Sequence, residues 1–518
     1  MTAPLVAECA LEAEHAAAPP SRRAGPCTMI IFGASGDLTR RKLIPALAHL
    51  DCDGLLDASF AVIGVGRSGN DGEFRRAMRE AIDTAEEVRG TDPAARARFI
   101  SRLRWVAGDL EDGATYRNLA ECLRAIEGEH AHERGRLFYL AIPPSLYPDV
   151  IRRLSSSGLA PRVSDDRAAW VRIIIEKPFG HDEASARELD RLLNSAFSER
   201  QVFRIDHYLG KETVQNLLVL RFANSLFEPI WNRDHVEQVQ ITACESVGVE
   251  HRASYYEEAG VLRDMFQNHL LQLLTLTAME PPNTFAADAV RNEKTKVLGA
   301  IRPITPELVP TVSAIGQYAT GAIDGTPVRG YREEPGVSPT SRVPTFAALR
   351  LEVANWRWEG VPFFLRSGKR MPRRATEIAI RFRRPPHLMF PLRDREALEP
   401  NVLVIRIQPN EGISLRFEVK VPGVDVRLAP VRMLFSYADA FGTTSHSAYE
   451  TLLLDCMLGD ATLFTRADAV EAAWHVIDPV IEGWARLSGD IPTYEAGSWG
   501  PAAAHALIAR DGARWREP

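Results

Sequence analysis

Residues 28–38 read Thr-Met-Ile-Ile-Phe-Gly-Ala-Ser-Gly-Asp-Leu, an apolar run that breaks into glycines and then into a helical pattern. Residues 28–32 predict a buried strand, and Leu43, Ala46, Leu47 and Leu50 recur at helical spacing behind it. A strand, a tight glycine turn and a helix start put backbone N–H groups and the positive end of the helix dipole where a pyrophosphate fits. The turn is not the full G-x-G-x-x-G pattern, because Ser35 and Leu38 hold the second and third glycine positions counted from Gly33. Taken alone it is equally an ordinary strand-to-helix connection, so its surroundings decide.

Outward from this turn, residues 60–65, 137–142 and 171–175 are further short apolar runs, and residues 72–88 form a polar helical stretch between them. Strands separated by helices predict βαβ units and a mostly parallel sheet. Past about residue 235 the pattern changes. Ile413, Leu415, Phe417, Val419 and Val421 alternate with polar residues, as do Ile378, Ile380 and Phe382, then Leu403, Ile405 and Ile407, and Leu349, Leu351 and Val353. Successive period-two strands predict a large, mainly antiparallel sheet with one face covered. Helical patterns surround it at residues 260–279, 449–458 and 467–486. The expected architecture is α/β plus α+β: a flexible tail over 1–27, a dinucleotide-binding domain over 28–205, and a substrate and oligomerisation domain over 206–518.

Composition narrows the function. Against 68 Asp and Glu stand 62 Lys and Arg, a net charge of −6 over 518 residues. Without a basic tract there is no electrostatic footprint for nucleic acid. No apolar run approaches the ~18 residues a membrane helix needs. Six scattered cysteines are too sparse for a disulfide scaffold, and the N-terminus has no basic start before an apolar core, so unpaired thiols in the cytoplasm are expected.

Three polar clusters carry candidate chemistry. The strand at 60–65 runs into Gly66 and Arg67, and a cation there suits a 2′-phosphate where an acidic residue would suit ribose hydroxyls; an ordinary solvated arginine is the other reading. Lys177, within Glu176–Gly180, follows a strand of the first sheet, where α/β proteins face their ligand crevice, or else sits in a surface turn. Pro178 beside it admits a cis bond. Residues 204–212 crowd Asp206, His207, Tyr208 and Lys211 together, donors of several geometries for one phosphate. Asp206 cannot help hold an anion, so orienting a histidine base is its expected task. His269, on the helical stretch 259–270, is that histidine or a satisfied core residue. Asp264 and Asn268 share a helix face, whereas Asp264 and His269, five apart, stand about 140° apart on an ideal α-helix.

In this order and at these separations, GASGDLTRRKL (33–43), EKPFG (176–180), RIDHYLGKE (204–212), RDMFQNHLLQ (263–272) and FFLRSGKRM (363–371) resemble the glucose-6-phosphate dehydrogenase family. The resemblance runs from about residue 28 to about 485, including LLLDCMLGDATLFTRADAVEAAW (452–474). It implies a Rossmann-like coenzyme domain, and hydride transfer from C1 of β-D-glucose 6-phosphate to NADP⁺. The products implied are 6-phospho-D-glucono-1,5-lactone and NADPH, the first step of the oxidative pentose phosphate pathway. It further implies His269 as general base and Asp206 as its partner. Lys177, His207, Tyr208, Lys211, Glu245, Asp264 and Lys369 are implied at the substrate. Gly33, Ser35, Gly36, Asp37, Leu38, Arg67, Tyr147 and Lys177 are implied at the coenzyme. No metal is implied, and a homodimer or homotetramer is. The stretch 246–260 departs from the family in having fewer glycines, with His251 and Ala253 expected to alter loop mobility without touching catalytic groups. An oxidoreductase of the glucose–fructose oxidoreductase type also has an EKP motif and an antiparallel sheet domain, but it lacks RIDHYLGKE. A non-catalytic sugar-phosphate sensor would typically lack the His269–Asp206 pair.

Overall fold

The computed structural model describes residues 6–7, 22–128, 134–162, 169–387, 389–390, 398–442, 446–487 and 489–518. Two sheets organise them. The first contains β1 (Cys27–Phe32), β2 (Ala61–Gly66), β3 (Leu103–Ala107), β4 (Gly135–Leu140), β5 (Val171–Glu176) and β6 (Val202–Ile205). Their order is β3-β2-β1-β4-β5-β6 and every neighbouring pair is parallel. All six residues of β1 are buried, as expected of a parallel strand covered by helices on both faces. The chain steps from β1 to β2 on one side and reaches β4 on the other. The glycine turn after β1 therefore lies at the topological switch point, where open α/β sheets bind ligands.

Two strands of this sheet went unanticipated. In β3, Arg104 and Trp105 are half-buried, so this edge strand shows no apolar run. In β6, Arg204 interrupts four buried residues; it is held by Glu199 at 2.6 Å and Asp190 at 2.7 Å. The tail expected over 1–27 lies largely outside the described residues. Residues 22–27 are not a free tail: Ala24 is buried and donates its N–H to the Leu55 carbonyl, and Arg22 pairs with Asp455 and Asp460.

The second sheet contains β7 (Val236–Cys244), β8 (Ser313–Ala319), β9 (Phe346–Glu352), β10 (Pro362–Gly368), β11 (Ala375–Phe382), β12 (Val402–Gln408), β13 (Gly412–Lys420), β14 (Leu428–Ser436) and β15 (Thr493–Glu495). Their order is β14-β13-β12-β11-β7-β10-β9-β8-β15, with Val6–Ala7 paired outside β14. The sheet is mainly antiparallel, but β7 and β10, β8 and β15, and Val6–Ala7 and β14 are parallel neighbours. One covered face is too simple a description. All of β10 and nearly all of β7 are buried, whereas β13 and β14 are half-open on both faces and Met433 is 52 % exposed.

The helices Ala448–Leu458 and Ala467–Arg486 were expected around the second sheet, yet they also pack on the first. Arg172 of β5 donates to the carbonyls of Cys456 and Met457, and the Trp474 indole donates to the Phe179 carbonyl. These contacts fix the two sheets around a common cleft. Among the described residues there is no disulfide, and no helix is long and apolar enough to cross a membrane.

Candidate active site

The cleft is built at the carboxyl ends of strands. Gly33 follows β1, Arg67 follows β2, Lys177 follows β5 and Asp206 follows β6. Gly33 takes φ +81°, and a Cβ there would stand 2.3 Å from the Ala141 carbonyl oxygen, so only glycine permits this turn between β1 and β4. Ser35, Gly36 and Asp37 are exposed, Leu38 is half-buried, and no side chain caps the helix that follows. Its first N–H groups are therefore not taken up by a side-chain cap. Arg67 is exposed and pairs with none of the described residues, so its guanidinium is available to a further phosphate.

Glu176, half-buried at the end of β5, accepts from the hydroxyls of Tyr139 at 2.5 Å and Tyr449 at 3.1 Å. Burial raises its carboxyl above the ordinary range. Tyr147 is buried and donates to the Glu176 carbonyl oxygen at 3.3 Å. Its contact here is with the backbone leading to Lys177, which sets it apart from the coenzyme-facing residues expected beside it. The Lys177–Pro178 peptide is cis.

Lys177 joins the two halves of the site. Its Nζ donates to the Asp264 backbone oxygen at 2.9 Å and to Asp264 Oδ1 at 3.1 Å, and lies 3.0 Å from His269 Nε2. On an α-helix Asp264 and His269 would diverge, and here they do not. Gly260, with φ +58°, breaks the preceding helix, and Leu262–Leu270 is wound as a π-helix. Its i→i+5 hydrogen bonds bring residues five apart onto one face, so Asp264 and His269 reach the same ammonium.

On the other side of the ring, His269 Nδ1 lies 2.5 Å from Asp206 Oδ1, with both side chains about 1 % exposed. Asp206 Oδ1 also accepts the Tyr208 N–H at 3.0 Å. An ionised carboxylate only accepts, so Nδ1 carries the proton and Nε2 presents its lone pair toward Lys177. Burial pushes the His269 pKa down, and the nearby Lys177 charge adds to this against the pull of Asp206, leaving the net shift downward. Burial works to raise Asp206, but His269 and His207 outweigh it and hold the carboxyl well below its usual range. Lys177 is pushed down by burial, yet Asp264 and Tyr255 raise it overall, so it remains an ammonium. The result is a neutral imidazole between a carboxylate and an ammonium.

The other predicted residues surround this pair. His207 meets His269 edge-on at 4.8 Å between ring centroids, and Tyr208 stacks on His269 at 4.2 Å. Lys211 lies over the Tyr208 ring at 4.7 Å and donates to Gln408 Oε1. Burial and the Arg374 charge bring the Lys211 pKa down to about 8, so an incoming dianion gains both a hydrogen bond and a favourable charge. Glu245 and Lys369 follow the parallel neighbours β7 and β10, end side by side, and form a 2.6 Å ion pair. The geometry thus brings together Lys177, Asp206, His207, Tyr208, Lys211, Asp264 and His269, with Glu245 and Lys369 at one edge.

Several residues of the site were not picked out beforehand. Arg374 and Gln408 stand at the Lys211 end, where Arg374 donates to Gln408 Oε1 at 2.9 Å. Tyr255 donates to Asp264 Oδ1 at 3.1 Å, so the stretch 246–260 does reach the site, although His251 and Ala253 themselves make no such contact. Lys294, 2 % exposed on helix Ala287–Ala300, is pushed down to about 8 by burial, against the pull of the Asp206 charge. Asp206 Oδ2 is buried without a hydrogen bond among the described residues. Only the adjacency of Arg373 and Arg374 gave any signal in the sequence; the remainder depend on tertiary contacts.

A parallel sheet with a phosphate-ready turn at its switch point, facing a carboxylate-oriented histidine, defines a dinucleotide-dependent oxidoreductase. Residues 30–216 match the family description "Glucose-6-phosphate dehydrogenase, NAD binding domain", and residues 218–516 match "Glucose-6-phosphate dehydrogenase, C-terminal domain". A glucose-6-phosphate 1-dehydrogenase of Aggregatibacter actinomycetemcomitans is 49 % identical over 497 residues, covering 96 % of this chain and 98 % of that one. A glucose-6-phosphate 1-dehydrogenase 2 of Mycobacterium tuberculosis is 47 % identical over 502 residues, covering 96 % of each. A solved glucose-6-phosphate dehydrogenase in complex with glucose-6-phosphate superposes with a TM-score of 0.86 at 36 % identity, covering 96 % of this chain and 99 % of that chain. The chain belongs to the glucose-6-phosphate dehydrogenase family.

Proposed function

We propose that this protein oxidises β-D-glucose 6-phosphate at C1, yielding 6-phospho-D-glucono-1,5-lactone and NADPH. The observation that carries this reading is the placement of His269, with Nδ1 tied to Asp206 and Nε2 facing Lys177. Loss of a hydride from C1 requires loss of the proton on its hydroxyl, and a positioned neutral imidazole accepts it. The C1 hydroxyl takes the place of the Lys177 ammonium at Nε2. Asp206 then stabilises the imidazolium that forms. Asp264, Glu245 and Lys369 line the sugar side, and Lys211, His207 and Tyr208 receive the phosphate. NADP⁺, when bound, supplies the hydride acceptor. The turn Gly33, Ser35, Gly36, Asp37 and Leu38 would hold its pyrophosphate, Arg67 its 2′-phosphate, and Lys177 would stand between it and the sugar. A role for Tyr147 at the coenzyme rests on the family resemblance alone.

The functional domains in this reading are 28–205 for the coenzyme and 206–518 for substrate and association. The half-open strands β13 and β14, with Met433 exposed, support association as a homodimer or homotetramer through the second sheet. The reading also makes the enzyme a cytoplasmic one, with no nucleic-acid or membrane partner.

Turnover with glucose 6-phosphate and NADP⁺, compared with glucose and with NAD⁺, tests the reading, and absence of NADPH from the phosphorylated sugar overturns it. Lys211→Ala is expected to raise KM for glucose 6-phosphate by about 10–100-fold, the weight of a charge-assisted hydrogen bond. Turnover of unphosphorylated glucose should barely move, and equal losses on both sugars would remove Lys211 from the phosphate site. Arg67→Ala is expected to raise KM for NADP⁺ by about 10–100-fold while leaving NAD⁺ nearly unaffected. Steady-state kinetics with both coenzymes reads this directly.

A further inference from the structure

A lysine stands at a core position of helix Ala287–Ala300. The helix turns Val290, Arg291, Lys294, Val297 and Leu298 inward, and residues 290, 294, 297 and 298 follow the i, i+4, i+7, i+8 spacing of a core-facing stripe. An aliphatic side chain would fill the middle of that stripe without electrostatic cost, whereas a buried ammonium without a partner is heavily penalised. Lys294 is 2 % exposed, yet it forms no hydrogen bond or ion pair among the described residues. Arg291, its neighbour on the stripe, is paired with Asp288 at 2.6 Å.

The surroundings of Lys294 lead to the catalytic pair. Helix Ala287–Ala300 packs on helix Leu271–Ala278, which continues the π-wound segment carrying His269. Asp206 uses only one of its oxygens. Oδ1 accepts from His269 Nδ1 and from the Tyr208 N–H, while Oδ2 is buried without a hydrogen bond among the described residues. Gln272, three residues past His269, leaves its Oε1 in the same condition. Burial works against the Lys294 charge, the Asp206 carboxylate supports it and the Arg291 guanidinium opposes it. A carboxylate held through one oxygen alone is free to rock about its Cβ–Cγ bond, and a buried acceptor without a donor is costly. The two groups are complementary, an ammonium with three hydrogens to give and an oxygen with lone pairs to fill.

We propose that Lys294 is a positioning residue, whose ammonium holds Asp206 Oδ2 through one buried water and so keeps Oδ1 aimed at His269. The inference rests on the reading of His269 as the base. Lys294 and Asp206 stand too far apart for an ion pair, and a water spans such a gap. It accepts from the ammonium and donates to Oδ2, with a second hydrogen for Gln272 Oε1, and three bonds is the usual number for a buried water. Lys294 touches neither sugar nor coenzyme in this arrangement, so it acts on turnover through Asp206.

The test replaces the ammonium by an apolar chain of similar length, Lys294→Met, in the full-length protein. With glucose 6-phosphate and NADP⁺, kcat is expected to fall by about 10-fold while both KM values stay within about 2-fold of wild type. The exposed Lys296, 70 % accessible, serves as the control, and Lys296→Met should change neither. In an Asp206→Asn background Lys294→Met should cost less than about 2-fold in kcat. Equal losses on both backgrounds, or a loss confined to KM, would overturn the proposal. Denaturation midpoints read the same coupling without turnover, which separates it from the assigned reaction. Lys294→Met should lower the midpoint when Asp206 is present, because a buried carboxylate loses its compensation, and raise it in Asp206→Asn, where the ammonium has no carboxylate to serve. Like shifts on both backgrounds would overturn the proposal whatever the substrate. Lys294→Gln supplies the same comparison should the methionine variant not fold.

Discussion

His269→Asn is expected to leave KM for glucose 6-phosphate near the wild-type value and to lower kcat by about 10²–10⁴-fold, the usual contribution of a positioned general base. The split follows from the geometry. His269 is buried and its Nε2 faces the Lys177 ammonium, while Lys211 stands on the Tyr208 ring, 4.7 Å from its centroid, at the phosphate end of the site. Asparagine cannot accept a proton at neutral pH, although it retains a polar group for the buried Asp206. Steady-state kinetics with circular dichroism as a folding control checks this. Near-normal kcat in a folded variant would assign the base elsewhere.

Asp206→Asn is expected to lower kcat by about 10–10³-fold, the effect of removing a carboxylate that lends an adjacent imidazole 1–3 pK units of proton affinity. Asp206 Oδ1 already accepts from both His269 and the Tyr208 N–H, so an asparagine oxygen retains that position and the imidazole tautomer survives. What is lost is the charge opposite the imidazolium. The pH profile carries the sign. The base works as neutral imidazole, and burial already holds His269 below the ordinary histidine value of about 6.5. The wild-type acid limb of kcat/KM should therefore fall below pH 6.5 once the substrate's own phosphate titration, near pK 6, is divided out. Removing the carboxylate lowers the pKa further, so the limb of Asp206→Asn should move to still lower pH while the plateau drops. A limb that moves upward would contradict the assigned polarity.

Much of this arrangement is legible from sequence because parallel strands buried on both faces leave apolar runs, as β1 does throughout, β4 from Leu137 to Leu140 and β5 from Ile173 to Ile175. The coenzyme turn is legible too, since Gly33 has no alternative at its φ and its approach to Ala141. β3 and β6 were hidden because arginines interrupt them and are accommodated by neighbours distant in sequence, as Arg204 is by Asp190 and Glu199. The clearest loss was the face shared by Asp264 and His269. Helical periodicity assumes 3.6 residues per turn, and nothing in Leu262–Leu270 announces the π winding that aligns residues five apart. The roles of Gln408, Tyr255 and Lys294 arise only from tertiary contacts, with partners that local pattern cannot supply.

The central claim is that this cleft takes the hydride from C1 of the sugar phosphate and delivers it to NADP⁺. Glucose 6-phosphate deuterated at C1 tests it most directly, with the reduced coenzyme analysed by mass spectrometry. The account predicts NADPH carrying one deuterium, formed in step with the lactone. Unlabelled NADPH, or no NADPH at all, would contradict it.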